Sequence, residues 1–237
     1  MKLAGLQKLT LLDFPGHVAC TVFTAGCNLR CPFCHNSDLV LPERQPERLA
    51  EEDFFTFLRK RQGILEGVCV TGGEPLLQQD IAPFLRRIKE LGFAVKLDTN
   101  GCFPTVLRDL VAQHLVDFVA MDIKNSPARY GETAGVPGMP LNKLEQTMQF
   151  LLDGSLDYEF RTTVVEQFHD DASIAAIGQW LSSLSSQHKA KRLFLQPYAD
   201  RDSVLVSGLS TPTAEKLAAW AAILTPYADH VGIRGID

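Results

Sequence analysis

The sequence has no uninterrupted apolar run of the roughly 18 residues that a helix needs to cross a bilayer, so no membrane partner is expected. It also lacks a basic excess. The formal charge is −5 over 237 residues, without the surplus of Lys and Arg that marks a nucleic-acid surface, and no nucleic-acid partner is expected. Neither G-x-G-x-x-G nor a Walker A sequence occurs, which removes the common dinucleotide and P-loop sites. The first residues, Met-Lys-Leu-Ala-Gly-Leu-Gln-Lys, show no secretory apolar stretch, and a cytoplasmic location is the expectation. Cysteine is scarce outside one segment. Of the six, Cys20 and Cys69 sit in apolar runs and read as small buried hydrophobes, and Cys102 lies in a Gly-Cys-Phe-Pro turn.

What the chain does have is alternation. Strand-like runs occur at 18–24, 67–71, 93–98, 117–123, 158–165, 192–197 and, more weakly, 230–234. Between them, Ile81, Phe84, Leu85, Ile88 and Leu91 recur at helical spacing. So do Leu141, Leu144, Met148 and Leu151, and Ile174, Ile177, Leu181 and Leu184. Residues 51–60 are helical in tone, and Thr211-Pro212 ahead of Leu217, Trp220, Ala221 and Leu224 reads as a cap followed by proline at the first helical position. Strands alternating with helices mean βαβ units and a parallel sheet.

Most runs end in polar or glycine-rich residues: Thr71-Gly-Gly-Glu74, Asp98-Thr-Asn-Gly101, Asp122-Ile-Lys124, Thr162-Thr163 and Gln196. Chemistry at the carboxyl ends of many successive strands is the habit of a barrel, whereas an open sheet gathers it at one switch point. The expected fold is α/β, a partial (β/α)6 TIM-like barrel of parallel strands, as a single domain over residues 1–237. Residues 125–140, rich in glycine and proline, form the longest irregular stretch and a candidate surface for a partner.

The densest chemical signal is Thr24-Ala-Gly-Cys27-Asn-Leu-Arg-Cys31-Pro-Phe-Cys34-His-Asn36, three cysteines at CxxxCxxC spacing directly after the first strand-like run. In a reducing compartment such a group binds metal or does redox chemistry rather than forming disulfides. Three thiolates without a fourth cysteine nearby point to a metal centre with one open position. A zinc site completed by His35 is the competing reading, although adjacent residues rarely face one metal.

Three further strand ends have plain structural readings: a tight turn at Gly72-Gly73-Glu74-Pro75, an Asx turn at Asp98-Thr-Asn100-Gly101, and an ion pair between Asp122 and Lys124, which share a face two residues apart.

With the cysteine motif, Phe33 before its last cysteine and the Gly-Gly-Glu turn one βα unit later, the sequence resembles the radical S-adenosylmethionine (SAM) superfamily. The resemblance implies a 4Fe–4S cluster held by Cys27, Cys31 and Cys34, with SAM chelating the fourth iron. It implies cofactor contacts from Phe33 and His35, from Gly72, Gly73 and Glu74 at the methionine ammonium, from the strand end bearing Asp98 and Asn100, and from Asp122, Ile123 and Lys124. One cluster is expected, because no further CxxC pair follows Asn36. No catalytic side chain beyond the cluster ligands is implied.

Leu12-Asp13-Phe14-Pro15-Gly16, Cys34-His35-Asn36 and Asp122-Ile-Lys124 together narrow the resemblance to glycyl-radical-enzyme activating proteins, nearest to those of anaerobic ribonucleoside-triphosphate reductase. That implies reductive cleavage of SAM, hydrogen abstraction from a glycine of a partner enzyme, and a flavodoxin or ferredoxin-type reductant. Formate-lyase activators carry a histidine after Leu-Pro-Tyr near the last strand. Here the stretch is Leu195-Gln196-Pro197-Tyr198-Ala199, which argues against that partner and leaves Gln196 as a candidate adenosine contact. Arg161 is a candidate interior residue or a paired structural arginine. Other readings are an activator of another glycyl radical enzyme, a radical enzyme with a small-molecule substrate, and a zinc-stabilised binding module without catalysis.

Overall fold

The computed structural model describes residues 1–200 and 203–235. Its elements run β1 (Leu3–Thr10), β2 (Ala19–Thr24), α1 (Ser37–Val40), α2 (Glu51–Arg59), β3 (Gly67–Gly72), α3 (Ile81–Glu90), β4 (Ala94–Thr99), α4 (Pro104–Ala112) and β5 (Phe118–Asp122). They continue with α5 (Tyr130–Ala134), α6 (Asn142–Asp153), β6 (Asp157–Val164), α7 (Asp171–Leu184), β7 (Ala190–Pro197), α8 (Ala214–Leu224) and β8 (Ala228–Ile233). The strands form one sheet in sequence order, β1 to β8. That order has no switch point, as barrel winding requires and doubly wound sheets do not. Registers are parallel from β2 to β4 and from β6 to β8, and β1 pairs antiparallel with β2. Among the described residues no helix is long and apolar enough to cross a membrane.

Each expected strand is present. Strand β1 was not foreseen: its burial does not alternate, Gln7 to Leu9 are exposed, and only pairing with β2 makes it a strand. Helix α4 was not foreseen either. Helix α3 buries Ile81, Phe84, Leu85 and Ile88, the face its periodicity marks. Helix α7 starts in a capping box, with Asp170 Oδ1 accepting from Ser173 N at 2.7 Å and Ser173 Oγ accepting from Asp170 N at 2.9 Å. The start expected for α8 is displaced. Thr213 is the cap, accepting from Lys216 N at 3.3 Å, while the Thr211 hydroxyl donates to the Tyr198 carbonyl. Residues 125–140 are less irregular than expected, because α5 lies inside them and Gly135, at φ 67°, closes it.

The described residues group into two compact units, and the division passes through the cysteine loop. The first holds Met1–Asn28, Asn36–Thr99 and Thr105–Val119; the second holds Leu29–His35, Asn100–Pro104 and Ala120–Asp237 as far as they are described. In the first unit, the Leu12-to-Gly16 stretch builds a floor. Phe14 is buried with Ala19 and Phe118 while Ala94 packs against them, and a Cβ on Gly67 would lie 2.8 Å from its ring. These partners are the first residues of β2, β3, β4 and β5, so Phe14 closes the amino ends of those strands. Asp13 accepts from the Thr21 hydroxyl at 2.5 Å. The motif is a structural plug at the end opposite the predicted chemistry.

Candidate active site

In the first unit the site is a matter of backbone. The end of β3 runs so close to the start of the cysteine loop that side chains have no room. A Cβ on Gly73 would lie 1.9 Å from the Gly26 carbonyl oxygen, and one on Gly72, at φ 115°, 2.3 Å from Thr24 N. Hydrogen bonds zip the contact: Gly73 N donates to Thr24 O at 2.9 Å and Glu74 N to Gly26 O at 2.8 Å. Asn36 adds its side-chain amide, donating to Gly72 O at 3.1 Å.

Glu74 lies behind this turn with 0% of its surface exposed, its Oε1 accepting from Leu76 N at 3.0 Å and the Thr99 hydroxyl at 2.9 Å. It caps the following turn and braces the end of β4. Asp98, one residue earlier on β4, is paired with Lys96 and keeps 14% side-chain exposure.

In the second unit the site is a matter of charge. Asp122 ends β5, and its carboxylate takes Lys124 Nζ at 3.0 Å on Oδ2 and Arg161 Nε at 2.9 Å on Oδ1. Burial pushes the Asp122 carboxyl up, but the two cations outweigh it and hold it at about 2. Burial works against the Lys124 ammonium, and the charges of Asp122 and Cys31 raise its pKa nevertheless. Ile123 is fully buried between these two and packs rather than presents a group, while its N–H donates to Arg161 O at 2.8 Å.

His169 Nε2 lies 3.0 Å from the Lys124 carbonyl oxygen, and its Nδ1 is 3.2 Å from Val165 N. Burial drives its pKa down to about 4, so the ring is neutral at physiological pH.

The cysteine loop of this unit leans on α5. Arg30 N donates to Ala134 O at 3.0 Å, the Cys31 thiol lies 3.8 Å from that oxygen, and a Cβ on Gly135 would sit 2.0 Å from Arg30 O. The residues expected to face a partner thus support the loop. On its other side Leu205 N and Val206 N donate to Pro32 O at 3.1 and 3.0 Å, and the Ser203 hydroxyl donates to His35 O at 3.0 Å.

Phe33 is buried with its ring 6.0 Å from Phe168, and the His35 ring lies 5.7 Å from Tyr198. Asn100 forms the Asx turn, accepting from Cys102 N at 3.0 Å. Gln196 is half-buried on β7 opposite Thr163. His169, Gly135 and Ser203 were not among the expected site residues, and Arg161, expected as an interior residue or a paired structural arginine, is found paired. They answer to partners 30 or more residues away, and only the Gly135 turn left a local trace.

The donor set suits an iron–sulfur cluster. Cys27, Cys31 and Cys34 are in no disulfide, Cys31 buried and the others half-exposed. Among the described residues no three His, Cys, Asp or Glu side chains close on one point as a single-ion cage, so the fit rests on donor chemistry. The second unit's two cations and one carboxylate suit the amino-acid end of SAM.

Comparison with known proteins agrees. The model of the Radical SAM superfamily matches residues 21–164. A protein of Methanocaldococcus jannaschii named as a glycyl-radical enzyme activating enzyme is 30% identical, over 99% of this chain and 96% of its own. A 7-carboxy-7-deazaguanine synthase of Thermococcus kodakarensis is 30% identical over 51% of this chain and 54% of that one. The crystal structure of a domain of pyruvate-formate lyase-activating enzyme from Bacteroides vulgatus aligns with a TM-score of 0.58 over 71% of this chain and 99% of that one; at 22% identity it speaks for the fold alone. From a family model spanning more than half the chain and a relative matched nearly end to end, it follows that this chain is an enzyme of the radical SAM superfamily, whose cofactors are a 4Fe–4S cluster and SAM.

Proposed function

We propose that this enzyme is a glycyl-radical-enzyme activator whose partner is anaerobic ribonucleoside-triphosphate reductase. The observation that carries the first half is the end-to-end match to the Methanocaldococcus jannaschii relative, which leaves little length outside the shared core. The second half rests on Ala199 standing where formate-lyase activators carry histidine. Membership of an enzyme superfamily removes the zinc-stabilised module.

In this reading Cys27, Cys31 and Cys34 hold three irons of the cluster. When bound, the two cofactors supply reductive cleavage of SAM and a radical able to take hydrogen from a glycine Cα. The protein's part is to bind and orient. Lys124 and Arg161 offer cations to the SAM carboxylate, with Asp122 holding both in place. Gly72 and Gly73 let the backbone reach the methionine end, and Glu74 braces their turn from behind rather than offering a surface carboxylate. Asp98, Asn100 and Gln196 mark strand ends facing the adenosine, and Phe33 and His35 flank the cluster. A flavodoxin or ferredoxin-type protein delivers the electron.

Anaerobic mixing of the iron-loaded protein with the reductase, SAM and a reductant tests this, with electron paramagnetic resonance as the readout. The expected result is a glycyl doublet on the reductase. A doublet on another glycyl radical enzyme alone would move the partner. The match to a 7-carboxy-7-deazaguanine synthase favours a second reading, a small-molecule substrate. It predicts 5′-deoxyadenosine without any protein doublet.

A further inference from the structure

Strand β4 reads Ala94-Val-Lys-Leu-Asp-Thr99, and alternation puts Ala94, Lys96 and Asp98 on one face. The column rises from the floor to the strand's carboxyl end. Ala94 packs on the Phe14–Ala19–Phe118 cluster, Lys96 stands next, and Asp98 follows at the top with 14% of its side chain exposed. Lys96 is 1% exposed. Its Nζ donates to Asp98 Oδ1, lies 3.8 Å from the thiol of Cys69, its register partner on β3, and sits 6.0 Å from the centre of the Phe118 ring.

A lysine at this depth is unexpected. An ammonium buried beside an aromatic ring loses its hydration, and a Leu or Met would fill the same volume beside Phe118 without that loss. The placement makes sense if the charge serves Asp98. A carboxylate at a half-closed strand end receives a ligand best when its rotamer is fixed. A buried ammonium two residues below, fixed by its own packing, aims it along the strand.

We propose that Lys96 is a positioning residue for cofactor binding: a built-in ion-pair partner that holds the Asp98 carboxylate oriented to receive the hydroxyl or ammonium groups of SAM. Lys96 itself does not touch SAM. The proposal rests on the reading that Asp98 is a cofactor contact.

The test compares Lys96→Met, Lys96→Arg, Asp98→Asn and the double variant Lys96→Met/Asp98→Asn in iron-loaded protein. Melting temperature, SAM affinity by equilibrium dialysis, and the kcat and KM for 5′-deoxyadenosine formation are measured. Lys96→Met is expected to weaken SAM binding and raise its KM about tenfold or more, with kcat at saturating SAM within about threefold of the parent. Lys96→Arg recovers part of the affinity. The double variant removes both charges of the pair and is expected to melt above Lys96→Met, yet keeps the weak SAM binding of Asp98→Asn, and so serves even if Lys96→Met alone does not fold.

With Asp98→Asn weakened, a double variant that binds SAM like the parent would overturn the proposal, since Lys96 would then not act through Asp98. Parent-like affinity in Lys96→Met would do the same. Failure of the underlying reading looks different: Asp98→Asn would leave SAM binding untouched, or the parent protein would bind no SAM at all.

Discussion

At the carboxyl end of β3 there is no room for a Cβ; at the carboxyl end of β5 two cations share one carboxylate. The first unit builds its strand end from backbone contacts that exclude side chains, and its acidic motif residue is sealed behind the turn. The second builds its strand end from partly exposed charges whose protonation is set by one another. The difference predicts different failures. Changes in the first unit should disturb the fold before they disturb binding, and changes in the second should disturb binding and pH behaviour first.

The largest effect belongs to the cysteine loop, through which the division between the units passes. Replacing any of Cys27, Cys31 or Cys34 with serine is expected to abolish 5′-deoxyadenosine formation, with iron and sulfide content after anaerobic reconstitution as the check. Next comes Gly73→Ala. Its methyl group meets the Gly26 carbonyl oxygen, a backbone atom, so the cost should reach at least the ~3 kcal/mol upper range of overpacked cores. That is a fall in Tm of at least ~6 °C for a chain of this size. A Gly73→Ala protein that melts normally but fails to bind SAM would erase the contrast, by making the turn a binding element only.

Arg161→Met makes the opposite case. Asp122 keeps Lys124, and its 30% exposure lets water help, so the stability cost should be about 2 kcal/mol, below that of breaking a fully buried pair. The SAM KM should rise several-fold more than the melting temperature falls would imply. The Asp122 carboxyl, held at about 2 in the folded protein, contributes stability present above about pH 4 and lost as pH falls from there toward 2. In Arg161→Met the folded value rises toward the unfolded one, so that acid limb should be smaller and complete at higher pH.

The smallest effect concerns His169. Its folded pKa of about 4 lies below the unfolded value near 6.5, so its neutral ring contributes stability present above about pH 6.5 and lost as pH falls through about 4. His169→Gln should flatten the urea-measured stability profile in that window by up to about 1.4 kcal/mol per pH unit, the slope of one proton. An unchanged slope would show that the ring is protonated in the folded state.

The same contrast explains what the sequence could and could not reveal. Strand order, helix faces and the polar strand ends were legible because period-2 and period-3.6 patterns, with Gly and Asx punctuation, are local. The cysteine spacing and the Gly-Gly-Glu turn were legible for the same reason. Glu74's burial was not, because it depends on Thr99, a neighbour in space from the next strand. Nor was the use of Leu12 to Gly16 as a floor under four strands, since Phe14 meets Gly67 and Phe118 only after the sheet is wound. Strand β1 stayed hidden because an edge strand with mixed exposure carries no period of its own. Arg161 and His169 acquire their roles from partners far along the chain, Asp122 and Lys124, that periodicity cannot supply.

The most direct measurement follows the hydrogen. The reductase, made with glycine deuterated at Cα, is incubated anaerobically with the iron-loaded enzyme, SAM and a reductant, and the 5′-deoxyadenosine is analysed by mass spectrometry. One deuterium is expected in the product, formed in step with the glycyl radical signal. 5′-Deoxyadenosine that carries no deuterium, with no glycyl radical on the reductase, would contradict it.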